Sequence, residues 1–251
     1  MAIMYGHMDV LSLLPAFTAF DGIALSLLLG LWVGVGYAIE RPPGNLTSVT
    51  AMMKAMRMAW MREFAYRENR IFDSQILGNL RQGTAFFAST MLIAIGGVLG
   101  FAGNAAALRA AAGLLGADAP VAAAQLKLFL VALILTNAFL RFVWANRVFG
   151  YCSVVMGAVP EPSEKNPDTY AIAAQAGALN VQAALNFNRG LRALYFALAG
   201  LAWLAGPWAL MVATGFATYT LLRREFASHT HAILTGEEGG LRGDEPPPDQ
   251  E

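Results

Sequence analysis

An all-α, membrane-embedded bundle of four transmembrane helices with amphipathic cytoplasmic helices is the fold this sequence predicts, and three observations carry the prediction. The 251-residue chain is 57% hydrophobic and only 14% charged, too little polar material to clothe a soluble globule of this size. Four stretches are apolar over roughly the 20 residues a helix needs to cross a hydrocarbon core of about 30 Å. Basic residues outside those stretches fall unevenly, which gives the bundle an inside and an outside.

Residues 1–21 read as an outer, interfacial segment broken at Pro15. They lack the Lys or Arg of a signal-peptide n-region, so the segment is expected to be retained. The first span covers 22–39, with Asp21 expected to cap it and Glu40-Arg41 closing it. The second span covers 84–103 and the third about 126–148. The fourth, about 193–222, would be about 45 Å long as one helix, so Gly206-Pro207 is expected to bend it. Two separate crossings within it would leave nothing for a turn. The three spans and the bent fourth make one membrane domain over 22–228, followed by a disordered acidic tail over 229–251.

Arg41, Lys54, Arg57, Arg62, Arg67, Arg70 and Arg81 lie between the first two spans, and only Arg109 between the next two. The first loop is therefore cytoplasmic, with both termini outside, as expected of a multi-pass protein of the bacterial inner membrane. Arg223-Arg224 then falls on the outer side, against the rule.

Residues 46–82 carry Met53, Met56, Trp60, Phe64 and Ile71 at close to helical spacing, with basic residues on other faces. This predicts an amphipathic helix lying in plane on anionic cytoplasmic lipid and leading into the second span. Five methionines crowd it, as adaptable apolar filler in preference to a metal-sensing thioether set. A second, Ala-rich helix over 170–187 bears amides and is expected to pack against the first.

Candidate sites are few. Arg70 and Asp73, three apart, are placed to pair on one helical face. Asp73, Asn79 and Arg81 form either a polar cluster at the cytoplasmic mouth, recognising an anionic solute or lipid headgroup, or a salt-bridged helix corner. Arg141, with Asn137 one turn before it, either lines an anion path or snorkels to the inner interface. Gly30 with Gly34 and Gly96 with Gly100 have the spacing that lets helix backbones approach, within the chain or in a homo-oligomer. One cysteine, Cys152, excludes a disulfide framework, and His229 and His231 diverge on a helix, so no metal or other cofactor is expected. A net charge of zero removes the footprint of a nucleic-acid binder.

The run from Arg67 to Asp73, continuing through Asn79-Leu-Arg-Gln-Gly-Thr to Thr90, and the later Asn188-Arg-Gly-Leu-Arg-Ala-Leu-Tyr-Phe-Ala197 resemble domain-of-unknown-function family 599. Asp21, Trp32, Tyr37 and the stretch from Arg141 to Arg147 share the likeness, which covers roughly residues 20–228. These are uncharacterised bacterial and plant membrane proteins, so the resemblance implies a four-helix topology and transfers no catalytic or binding residue. The leading expectation is a non-enzymatic scaffold or interaction protein whose cytoplasmic face binds lipid headgroups or a partner. The alternative is a small oligomeric channel or transporter for an anionic or polar solute, marked by a water-accessible cavity reaching Arg141.

Overall fold

The computed structural model describes residues 17–115, 120–161 and 168–236. Regular structure among them is helical: α1 (Ala19–Glu40), α2 (Val49–Phe64), α3 (Ile71–Gly103), α4 (Ala105–Leu115), α5 (Val121–Gly157), α6 (Asp168–Leu201), α7 (Pro207–Phe226) and α8 (His229–Thr235). Most of the expected interfacial segment and the acid-rich part of the tail lie outside the described residues. Three helices, α1, α3 and α5, are long and apolar enough to cross a membrane.

With 33, 37 and 34 residues, α3, α5 and α6 are each about 50 Å long or more, well beyond the thickness of a hydrocarbon core. They join two apolar clusters stacked along the bundle. The larger gathers Leu28, Met91, Leu135, Phe142, Phe196 and Leu210, and the smaller Met61, Phe64, Leu77, Phe149, Cys152 and Met156. The central pair is α5 against α6; α3 flanks α5, α2 and α7 flank α6, and α1 lies on α7.

Glycines on α6 make these approaches close. A Cβ on Gly190 would fall 2.7 Å from Cε1 of the fully buried Phe142, and one on Gly200 would fall 3.1 Å from Val131. On the α2 side, a Cβ on Gly177 would fall 3.0 Å from the Met58 sulfur. The glycines singled out by spacing behave differently: a Cβ on Gly30, Gly34, Gly96 or Gly100 meets nothing within 4 Å, so packing inside the chain does not account for them.

The expected single bent helix over 193–222 is two helices. Its last turn before the break tightens to a 3₁₀ segment, Ala202–Ala205, and Gly206 takes φ +114°, a conformation only glycine adopts readily. Pro207 then opens α7 at the first position, where its missing N–H costs nothing. The chain reverses there. Trp208 stacks near Phe20 at the start of α1, ring centroids 5.4 Å apart, while Glu225 accepts bonds from Thr50 N and Oγ1 just beyond the far end of α1, both at 2.9 Å. The start of α1 and the end of α7 therefore lie at opposite ends of the bundle. Five residues, 202–206, make the turn.

Residues 46–82 likewise divide, into α2 and the first turns of α3, with Asn69 Oδ1 accepting from Ile71 N at 3.0 Å where α3 begins. α2 runs antiparallel along α6, matching Thr50 to Asn188, Arg57 to Asn180 and Met58 to Gly177. The expected packing of the two amphipathic helices on each other is thus present. Met58 and Met61 face α6, whereas Met53 and Met56 are exposed, so the thioethers diverge. Two further helices were not expected. α4 follows the second span, and α8, N-capped by Ser228, occupies residues 229–235 of the stretch read as disordered.

Gly190→Ala should lower the melting temperature in detergent, corresponding to about 1–3 kcal/mol for overpacking against a fixed ring, whereas Gly96→Ala should leave it unchanged or raise it. Equal melting curves for the two variants would contradict the packing described.

Candidate functional site

Glu40 ends α1 at the level where the two apolar clusters meet. Arg189 and Arg192, three apart on α6, share the face opposite it. Arg189 Nε donates to Glu40 Oε1 at 2.8 Å, its Nη2 donates to Oε2, and Arg192 Nη2 donates to Oε1. Arg192 is 5% exposed, and a guanidinium so buried requires a counter-charge. Arg192 lies across α1 at Gly36, one turn before Glu40, where a Cβ would fall 3.7 Å from its Nε, in ordinary contact. Ser48 fixes the corner that follows: its hydroxyl donates to the Ile39 carbonyl at 2.7 Å and accepts from Ala51 N, capping α2.

Beside this cluster lies a cavity of about 550 Å³ between α1, α5 and α6. Trp32, Gly36, Tyr37, Glu40 and Arg41 line it from α1, Asn137 and Arg141 from α5, and Arg189 and Arg192 from α6. Arg141 Nη1 donates to Asn186 Oδ1 at 3.2 Å, and Asn186 is oriented by its own amide donating to the Gln182 carbonyl at 2.9 Å. Four guanidiniums thus line the cavity together with one carboxylate, both of whose oxygens are engaged by Arg189 and Arg192. The arrangement can accept an anion with several oxygens, because the planar forks of arginine match phosphate and carboxylate geometry.

Of the five residues expected at a site, Arg141 and Asn137 are brought together in this cavity. Asp73, Asn79 and Arg81 are not. Asp73 is fully buried at the start of α3, where its Oδ1 accepts from Trp60 Nε1 and Arg67 Nη1, each at 2.6 Å. Arg70 does not pair with it, contrary to the three-residue spacing: it is drawn to the Val159 and Pro160 carbonyls at the end of α5 and lies over the Phe64 ring. Asn79 is exposed on α3, and the exposed Arg81 sits over Gly150 of α5. These three residues occupy different faces, which corrects the clustered reading; Asp73 serves the helix corner.

At the opposite end of α1, Asp21 does cap the helix, in a reciprocal capping box with Thr18. Its Oδ1 also accepts from Trp203 Nε1 at 2.6 Å and lies 3.8 Å from Lys127 Nζ, which donates to the Trp203 carbonyl. Lys127 went unnoticed in the sequence, where it is one charge in an apolar run; a lysine there demands an acid at equal depth, and Asp21 is that acid. Glu40 was missed as the partner of Arg189 and Arg192 because nothing in the local pattern joins residues 150 positions apart. Arg57, on α2, donates to Asn180 Oδ1 at 2.5 Å, and burial pulls its guanidinium below its ordinary range. Among the described residues no group of three or more His, Cys, Asp or Glu side chains is placed to hold a metal.

A family model described as "Protein of unknown function, DUF599" matches residues 23–230. No curated protein and no solved structure matches the chain.

Glu40→Ala should cost about 3 kcal/mol of stability, toward the low end for breaking a buried pair because Arg189 stays 34% exposed. Glu63→Ala, on the exposed face of α2, should change it by less than about 0.5 kcal/mol. Thermal unfolding in detergent measures both.

Proposed function

The chain belongs to the DUF599 family, a family of unknown function, and on that premise we propose that it is a non-enzymatic, multi-pass protein of the inner membrane that binds a phosphate-type anion in its arginine-lined crevice. The observation that carries this is the excess of guanidinium over carboxylate in the lining of a cavity: Arg41, Arg141, Arg189 and Arg192 against Glu40, with Glu225 acting on Arg192 from beyond the lining. Arg141, partly buried and bonded to the Asn186 amide oxygen, has no carboxylate paired with it among the described residues, and an anion in the cavity would supply that counter-charge.

The same reading takes the Glu40 level as the cytoplasmic boundary. With α6 and α7 folded back on each other, α1, α3, α5, α6 and α7 make five crossings, and the described end of the chain lies on the cytoplasmic side. Arg223-Arg224 then joins Arg41, Arg81, Arg147 and Arg189 at one end, which removes the exception to the positive-inside rule. Beyond that boundary the extensions of α3, α5 and α6, with α2, form a cytoplasmic bundle around the smaller apolar cluster, a surface suited to a scaffold. A homo-oligomer joined through Gly30, Gly34, Gly96 and Gly100 fits the open faces those residues present.

A transporter is the second reading, favoured by the cavity that reaches Arg141 and Asn137. Against conduction, the next residues outward along α5 are Leu133, Leu130 and Phe129, which offer a permeating ion no replacement for its water shell.

Inorganic phosphate should bind the purified protein saturably in calorimetric titration, and Arg141→Ala should weaken that binding at least tenfold without moving the melting temperature. Unaltered binding would refute the site. A carboxy-terminal alkaline phosphatase fusion should be inactive and a carboxy-terminal green-fluorescent fusion bright; the reverse would refute five crossings.

A further inference from the structure

The arginine crevice does not stand alone on its two helices. A second cavity, of about 440 Å³, continues along the same faces of α1 and α5 toward the Asp21 end, lined by Phe17, Gly22, Leu25, Phe129, Leu130 and Leu133 among others. On α5 the lining residues of the two cavities form one run at helical spacing, Leu126, Phe129, Leu130, Leu133, Asn137 and Arg141. On α1 the run passes from Asp21 and Leu25 to Trp32, Gly36 and Glu40; Leu29, exposed and one turn from both Leu25 and Val33, falls on the same face between the two cavities by helical spacing. The furrow so formed is about 28 Å long between Asp21 and Glu40, nearly the thickness of a hydrocarbon core.

Its two ends differ in charge. At the Asp21 end the carboxylate is already matched by Lys127 and by the Trp203 N–H, and the wall is otherwise apolar. At the Glu40 end four arginines face one acid. A small soluble anion would use only the second end and leave the apolar half unaccounted for. A zwitterionic lipid would bring its own cation against the guanidiniums. An anionic amphiphile satisfies both ends at once, and the charge asymmetry fixes its direction.

We infer that the furrow is one binding site for an anionic phospholipid, its phosphate among Arg141, Arg189 and Arg192 and an acyl chain laid between α1 and α5 toward Trp203. The inference rests on the anion reading above and names its ligand class. The furrow, and not general contact with bilayer, makes the selection, because head and chain are recognised by separate groups at a fixed spacing.

The test uses the full chain in detergent with three probes: inorganic phosphate, dioleoyl phosphatidylglycerol and dioleoyl phosphatidylcholine, the lipids counted by native mass spectrometry. Phosphatidylglycerol should bind one per chain and at least tenfold more tightly than phosphatidylcholine. Gly22→Phe combined with Leu133→Trp fills the apolar half, at positions where a Cβ on Gly22 meets nothing within 4 Å and Leu133 is half exposed. This variant should lose phosphatidylglycerol at least tenfold and keep its phosphate affinity; Arg141→Ala should lose both. Undiminished phosphatidylglycerol binding in the filled variant overturns the inference and leaves the anion site standing, whereas a wild-type chain that binds neither phosphate nor phosphatidylglycerol overturns both. Equal affinity for the two lipids also overturns it. Should the filled variant fail to fold, phosphatidylglycerol brominated on its acyl chains should quench wild-type tryptophan emission, with a share of that quenching absent from Trp32→Phe; quenching identical in the two proteins counts against the furrow.

Discussion

The arrangement of this chain depends on neutralising two neighbouring arginines of α6, one of them buried. Arg189 and Arg192 sit at the junction of the two apolar clusters, and the one carboxylate that reaches both is Glu40 at the end of α1. That contact pins α1 to α6 at a fixed height. The corner after it, held by Ser48, then directs α2 down the side of α6 and not along a lipid surface. Because both oxygens of Glu40 are committed to α6, Arg141 is left to an amide, and its charge faces the neighbouring cavity. On the function proposed here, a structural ion pair and a binding crevice arise from the same shortage of acid.

Packing in the bundle is organised by absence of side chain on α6. Gly190 receives the Phe142 ring and Gly177 receives methionines of α2, so the central helix approaches its neighbours on two sides. Phe142 in turn stacks near Phe87 and Phe187, with centroid distances of 5.3 and 5.4 Å, which ties α3 into the same layer. Such contacts supply in apolar surroundings the dispersion attraction that the hydrophobic effect does not provide between lipid-facing helices.

Much of this was legible in the sequence. Hydropathy located α1 and the apolar parts of α3 and α5, helix-start chemistry identified Asp21 as a cap, and an arginine inside a span with an amide one turn away pointed to Arg141 and Asn137. What escaped detection has physical reasons. The reversal at Gly206 interrupts a run of continuous hydropathy, and its sign is a single backbone angle that composition does not encode. Spacing on one helix suggested Arg70 with Asp73, but the bare carbonyls at the end of α5 compete for Arg70, and only tertiary structure presents them. Asp73, Asn79 and Arg81 are near in sequence yet fall on different faces. The partnerships of Glu40 and Lys127 cross long stretches of chain and have no local signature.

The uninterrupted length of α5 and α6 couples the two storeys of the molecule. Neither helix has a proline or a hinge between the smaller apolar cluster and the level of Arg141 and Arg192, so each behaves as a stiff rod through both. Tilting the helices around the smaller apolar cluster by a few degrees must swing the opposite end of the same rods and widen or narrow the gap facing α1. Whatever grips the protruding helices therefore holds a handle on the furrow, and whatever fills the furrow sets the attitude of the surface a partner would meet.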